Sequence, residues 1–230
     1  MSWFKDIMSK ELGKGQVALT WFNDYSGVVV KTSNGTIIVF DPYEVKPDVF
    51  TKVDILIITH EHFDHYDPKI VKELSIKYKP YLCCSVPVYS ETRQYVASEK
   101  LLELRPGTSY DVLDVKILAF KSKHPAHLPV TVLLKCDGVS IYHASDSQPT
   151  PEMSEVGQHN PDIALCTVGI APGASPKAGV EIAKLVKPKI AIPYHTDDER
   201  DLYEFSEIAS KELPDMKVVV IKKGSVYVYP

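Results

Sequence analysis

The chain is poor in the features that would name several function classes at once. Of its 230 residues only four are cysteine, at 83, 84, 136 and 166, and no two form a Cys-x-x-Cys pair. That excludes a cysteine-rich zinc knuckle and a disulfide-stapled scaffold. Adjacent Cys83 and Cys84 make awkward partners, so all four are expected to be reduced, buried, small apolar residues of a cytoplasmic protein. An excess of basic charge is lacking too. There are 26 Lys+Arg against 30 Asp+Glu, a net charge of -4, and this counts against nucleic acid as a general partner. No long hydrophobic run is present. The longest uncharged stretch, 163–176, is broken by Gly169, Pro172 and Gly173 and is shorter than the ~20 apolar residues of a membrane helix. Lys5, Asp6, Lys10 and Glu11 interrupt any leader-like apolar segment at the start. A cytoplasmic protein with no membrane partner is the expectation. GxSxG and P-loop signatures are missing, as are repeats, low-complexity segments and linkers.

What is present reads as one α/β domain spanning residues 1–230. The composition, 44% hydrophobic and 24% charged, is that of a globular core with a soluble surface. Trp3, Phe4, Ile7, Met8 and Leu12 recur at helical spacing and predict a short opening helix. Its apolar stripe suits packing or a contact between copies, which leaves a homo-oligomer open. Strands are predicted at 16–22, 27–31 and 36–40, with Ser33-Asn34-Gly35 turning the last pair. The run Val53–Thr59 reads as a strand buried on both faces. Helices follow at 68–78 and 88–97, around a strand at 81–84. Strands are predicted at 115–123, 130–136 and 139–143. A second alternation follows: strand 162–168, helix 176–186, strand 189–193, helix 198–212, then strands 217–221 and 225–229. Two sheets packed face to face, with helices outside, is the economical arrangement.

The strongest signal directly follows the apolar strand: Thr59-His60-Glu61-His62-Phe63-Asp64-His65. A strand would send alternate side chains to opposite faces. A turning loop can instead aim His60 and His62 at one ion, and Asp64 and His65 at a second. Three of the chain's eight histidines within six positions is not the pattern of a surface loop. Further donors stand at other predicted strand ends: His124 after 115–123, Asp146 after 139–143 and His195 after 189–193. Each alone would be weak, and their shared placement is the argument.

This ordered set resembles the metallo-β-lactamase superfamily, whose fold is a four-layered αββα sandwich. Asp41, in Phe40-Asp41-Pro42, matches its first motif, and His60-x-His62-x-Asp64-His65 the second; His124, Asp146 and His195 match the third, fourth and fifth. The resemblance implies that His60, His62 and His124 hold one metal, that Asp64, His65 and His195 hold another, and that Asp146 bridges them. Asp41 would orient the histidine loop without touching metal. The segments Phe40-Asp41-Pro42-Tyr43, Ile141–Ser147, Ser175-Pro176-Lys177-Ala178 and Ile192-Pro193-Tyr194-His195 are similar to the small stand-alone hydrolases that include L-ascorbate-6-phosphate lactonase. That branch usually has Gly-Asp-Thr where this chain has Ser145-Asp146-Ser147, and often Gly-His where it has Asn23-Asp24.

His127 competes with His124 for the third motif, and the position of His124 at the strand end favours it. His127 and His143 are then candidate pocket residues, and His159 is expected at the surface. The donor set holds only N and O, which suits two divalent ions, zinc first, with manganese or iron as alternatives. Such a pair would acidify a water until hydroxide exists at neutral pH. Asp64 and Asp146 are the candidate catalytic carboxylates. The implied activity is a metal-dependent hydrolase that cleaves a small-molecule ester-type bond in a lactone, thioester or phosphoester. Two other readings remain: a nucleic-acid phosphodiesterase, which the acidic charge and the absence of an inserted binding domain disfavour, and a di-iron redox protein, which would need a flavin partner domain. Lys121, Lys123, Lys177 and Arg200 flank the motifs and are expected to be solvated.

Overall fold

The computed structural model describes residues 3–230. Its strands are β1 (Val17–Trp21), β2 (Val28–Thr32), β3 (Ile37–Phe40), β4 (Ile55–Ile58), β5 (Tyr81–Ser85), β6 (Leu101–Leu104), β7 (Ser109–Val112), β8 (Val115–Lys121), β9 (Val130–Cys136), β10 (Val139–His143), β11 (Ile163–Thr167), β12 (Ile190–Tyr194), β13 (Lys217–Val218) and β14 (Tyr227–Tyr229). Its α-helices are α1 (Trp3–Met8), α2 (Pro68–Tyr78), α3 (Val86–Thr92), α4 (Met153–Gly157), α5 (Pro176–Val186) and α6 (Glu199–Glu212).

The strands form two seven-stranded sheets, ordered β14-β1-β2-β3-β4-β5-β6 and β13-β12-β11-β10-β9-β8-β7. In the first sheet the pairs from β14 to β3 are antiparallel and those from β3 to β6 parallel. The second repeats this plan, antiparallel from β7 to β10 and parallel from β10 to β13. The last strand breaks the repetition: β14 returns to the first sheet, placing Tyr229 opposite Val17.

Side-chain alternation explains the layers. Ile38 and Phe40 of β3, and Ile55 and Ile57 of β4, face the second sheet and pack in the same core as Ile117, Val132, Leu134 and Ile141. Their neighbours Ile37, Val39, Leu56 and Ile58 face outward, under Phe4 and Ile7 of α1, Val71 and Leu74 of α2 and Val88 of α3. On the far side Val180 and Ala183 of α5 and Phe205 of α6 cover the second sheet. The result is the expected αββα sandwich in one domain. No helix among the described residues is long and apolar enough to cross a membrane, and all four cysteines are buried and unpaired.

Local chemistry sets the clearest boundaries. Asp67 caps α2 by accepting from Lys69 N at 2.8 Å and Ile70 N at 3.3 Å, Pro68 opens the first turn, and Lys79 ends the helix in a left-handed conformation. Ser175, Pro176 and Lys187 do the same for α5. Both helices span the residues expected, because each end is written in side chains that can act only at a helix terminus.

Other expectations are corrected. The helix predicted at 88–97 is α3, shifted to Val86–Thr92, and Pro87 in its first turn starts it early. Strands β6 and β7 and the short helix α4 had no alternation long enough to read. Of the strand predicted at 217–221 only Lys217–Val218 pairs. The strand predicted at 115–123 leaves the ladder at Lys121, because the next backbone groups bond elsewhere: Lys123 N donates to Ser147 Oγ at 2.9 Å and Lys123 O accepts from Gln148 N at 3.1 Å. His124 therefore sits in a loop tied to the Asp146 segment, and not directly at a strand end.

Candidate metal centre

Parallel strands deliver their following loops to one edge of a sheet. The loops after β3 and β4 meet those after β8, β10 and β12 there. Asp146 lies at the junction. Its Oδ1 is 2.9 Å from His65 Nε2 and 2.7 Å from His195 Nε2, and its Oδ2 is 3.8 Å from His124 Nε2. His124 Nε2 is 2.9 Å from His62 Nδ1, and His65 Nε2 is 3.8 Å from Asp64 Oδ2. Donor atoms of His60, His62 and His124 all lie within 4.8 Å of one another, as do those of His60, His65 and Asp146. All seven sequence-predicted ligands are thus brought together. The second trio gathers around Asp146 and borrows His60, whereas Asp64 and His195 stand at its margins.

Hydrogen bonds at the back of the rings set the tautomers. His65 Nδ1 donates to Asp41 Oδ2 at 2.8 Å, and His195 Nδ1 donates to the Gly169 carbonyl at 3.2 Å. His60 Nδ1 lies 3.1 Å from the Thr59 hydroxyl, which itself donates to Asp41 Oδ2 at 2.8 Å and so can accept from the ring. Each of these histidines thereby turns an Nε2 lone pair inward. The inward atoms are orphans: His60, His65 and His195 Nε2 and Asp146 Oδ1 are buried without a hydrogen-bond partner among the described residues. With the ring proton on Nδ1, the approaches of His65 and His195 Nε2 to Asp146 Oδ1, at 2.9 and 2.7 Å, set lone pair against lone pair. Buried lone pairs aimed at one another are costly unless a cation sits among them. An all-N/O cage of this kind fits divalent transition ions.

The electrostatics agree. Burial pulls the His65 imidazole toward neutrality, but the Asp146 and Asp41 carboxylates together outweigh it and favour the cation. His60, buried among other imidazoles, is held well below the usual histidine range by desolvation first and then by His65. Asp146 resists its own burial through His65 and His195 and stays ionised. The site is a low-dielectric pocket in which imidazoles surround fixed negative charge, as cation binding requires.

Backbone geometry adds a feature no spacing could show. Asp41, Ser145 and His195 all have positive φ, at 41°, 50° and 67°. Asp41 and His195 directly follow β3 and β12, and Ser145 comes two residues after β10, so each left-handed turn sharpens the chain's exit from its strand. Asp41 accepts from Thr59 N and from the Thr59 hydroxyl, both at 2.8 Å, and so holds the start of the histidine loop without reaching the cage.

The remaining candidates separate. His127 is exposed, tied only by its backbone N to Glu61 Oε1 at 2.8 Å. His143 is not a pocket residue: it is fully buried beneath the site, stacked on Phe40 at 4.3 Å and donating from Nε2 to Ser26 O at 3.0 Å. Burial holds its pKa down to about 4. His159 is half-buried against Phe120 and near Lys135. Lys121 pairs with Glu152 and Arg200 with Asp198, while Lys123 and Lys177 are exposed.

Two residues escaped sequence reasoning. The Thr59 hydroxyl is a hub that touches Asp41, His60 and, at 2.8 Å, Ser145 Oγ. Ser145 links the two halves of the molecule through that contact. Its only signal was its departure from the usual glycine, and the left-handed φ explains why glycine is common there.

A two-sheet sandwich with such a cage at its edge defines a class of metallo-hydrolase folds. The chain belongs to the metallo-β-lactamase superfamily: residues 18–195 match the family model described as Beta-lactamase superfamily domain. The UPF0173 relatives give the finer placement. A UPF0173 protein of Pyrococcus abyssi is 30% identical over 185 residues, covering 77% of this chain and 82% of its own. A UPF0173 metal-dependent hydrolase of Staphylothermus marinus is 29% identical over 188 residues, covering 78% and 79%. The solved structure of Igni18, a metallo hydrolase from Ignicoccus hospitalis, superposes with a TM-score of 0.78 at 21% identity, over 94% of this chain and 99% of that one.

Proposed function

We propose that the protein is a metal-dependent hydrolase that holds two divalent ions, zinc first with manganese or iron as alternatives, and cleaves an ester-type bond of a small molecule: a lactone, thioester or phosphoester. The reading rests on one observation above the others, the buried inward atoms of His60, His65, His195 and Asp146 that have no hydrogen-bond partner among the described residues. His60, His62 and His124 would hold one ion, Asp64, His65 and His195 the other, with Asp146 between them. Bound there, the ions supply Lewis acidity and acidify water at neutral pH.

The chain's own groups do the rest. Asp41 and Gly169 O keep Nδ1 protonated on His65 and His195, so Nε2 remains a ligand. Asp64, only 15% exposed and at the inner edge of the pocket, steers water and accepts its proton at Oδ2. Buried thiols suit the reducing cytoplasm.

Metal analysis of the purified protein, joined to a hydrolysis screen over lactones, thioesters and phosphoesters with each metal restored in turn, tests the reading. Two equivalents of metal and turnover of a small ester are expected. Cleavage of RNA or single-stranded DNA, with salt-sensitive binding, would overturn the substrate assignment, and no uptake of transition ions would overturn the reading altogether.

A further inference from the structure

The pocket over the candidate centre, about 320 Å³, has two kinds of wall. Donor side chains form its floor. Phe63, Ile170, Ala171 and Pro172 form its side. Small-molecule clefts begin at about 300 Å³, so the space suits one compact group.

Two wall residues stand out. Phe63 is 69% exposed, although it lies inside the histidine motif, and its ring is braced edge-on by Tyr43 at 5.7 Å. Tyr43 is held in turn through its carbonyl, which accepts from Asn23 Nδ2 at 2.9 Å. Ile170 is 43% exposed and has φ of 58°. A β-branched residue in the left-handed region is a genuine outlier. The turn that imposes it is pinned on both sides: Gly169 N donates to His195 O at 3.0 Å, and Ala171 N donates to Gly169 O at 2.7 Å. Glycine or asparagine would sit there without strain, yet a large apolar side chain occupies the position and overhangs the pocket. Single exposed apolar residues are ordinary. A braced phenyl ring and a strained isoleucine lining the same pocket as the donor set are not explained by packing, because neither is buried by the protein itself.

We propose that Phe63 and Ile170 form an apolar clamp that selects substrates with an uncharged aromatic or branched aliphatic group beside the bond to be cleaved. The inference rests on the hydrolytic reading above for the word substrate, but the clamp itself can be probed without turnover. N-benzylacetamide, uncharged and inert, serves as ligand, with acetamide as its small counterpart. Binding is followed by saturation-transfer NMR on metal-loaded and metal-stripped protein, and the hydrolysis of phenylacetyl and acetyl esters of one alcohol is compared.

N-benzylacetamide should bind the wild-type protein in both metal states, and acetamide should not. Phe63→Ala should weaken that binding about tenfold, the scale of losing one largely buried ring contact. Ile170→Gly, which also removes the strain, should weaken it by a smaller factor, and Leu113→Ala, at the exposed turn between β7 and β8, should leave it unchanged. The phenylacetyl-to-acetyl ratio of kcat/KM should fall in parallel. Equal binding of N-benzylacetamide by wild type and Phe63→Ala would overturn the clamp. So would a dimer in sedimentation that Phe63→Ala dissociates, since the face would then be covered by a second copy. Phe63-dependent binding without hydrolysis of any ester would keep the clamp and refute the hydrolytic reading. Ester hydrolysis with no preference for the phenylacetyl group would do the reverse.

Discussion

The two halves of the molecule reach the same centre by different means. The first half delivers four donors, His60, His62, Asp64 and His65, from a single loop after β4. The second half delivers three, His124, Asp146 and His195, from three separate loops. Their supports differ as well. His65 is held from behind by the buried Asp41 carboxylate, and His195 by the neutral carbonyl of Gly169. A carboxylate partner raises the basicity of the imidazole and fixes its tautomer more firmly than a carbonyl does. Redundancy within one loop and stiff charged support mark the first half; single donors with backbone support mark the second. The second half should therefore be the easier one to disable by one substitution.

Asp146→Ala tests that most severely. It removes a carboxylate that lies against His65, His195 and His124 together. Metal content and turnover should both fall by more than the 10–100-fold typical of an outer-shell change, as measured by elemental analysis and the best substrate of the screen. Retention of both would end the idea that the halves meet at this carboxylate.

His143 sharpens the comparison between the halves at the level of stability, since it comes from β10 but stacks on Phe40 of β3. Its pKa is about 4 in the fold against 6.5 for the free group. The unfolded chain therefore binds the extra proton first as pH falls. Its contribution is complete above pH 6.5 and is lost between pH 6.5 and 4, on the order of 3 kcal/mol in all. Urea unfolding of wild type and His143→Gln at pH 7 and pH 5 should show a steeper loss in the wild type; parallel curves would assign the acid sensitivity elsewhere.

Asp41→Asn probes the charged support directly. The amide would keep an acceptor for Thr59 N but confront the His65 Nδ1 proton with an N–H, favouring the wrong tautomer. Metal affinity should drop about 10–100-fold, read by competition with a chelator. An unchanged affinity would mean that a charged support is no better than the carbonyl that serves His195.

The smallest effect concerns the stitch between the halves. Ser145→Ala keeps the left-handed backbone and loses the bond to Thr59, at a cost of about 1 kcal/mol. Ser145→Gly loses the same bond but gains back about 1 kcal/mol from relieved backbone strain. Thermal unfolding should rank glycine above alanine; the opposite order would show that the left-handed turn at this position carries no strain for glycine to relieve. His127→Ala, at an exposed side chain, should change neither metal content nor stability.

Much of this was readable from residue order. The nearly continuous apolar run Val53–Thr59 announces a strand buried on both faces, and Pro68 suits the first turn of a helix. The histidine loop is legible because its donors are close in the chain, so spacing alone reports their convergence. β6, β7 and α4 were not legible, since short edge strands and a helix of five residues carry too few positions to display a period.

Local pattern was sufficient for the layered class of fold and for the presence of a cation-seeking loop, because both follow from neighbours a few residues apart. Folding alone settled the rest: that His124 leaves its strand early to join the Asp146 loop, that His127 stays outside and His143 lies beneath, and that Thr59 and Ser145 tie the halves together. Those outcomes depend on contacts between residues as far as 117 positions apart and on backbone turned to positive φ, and neither distance in space nor handedness of a turn is written in the order of side chains.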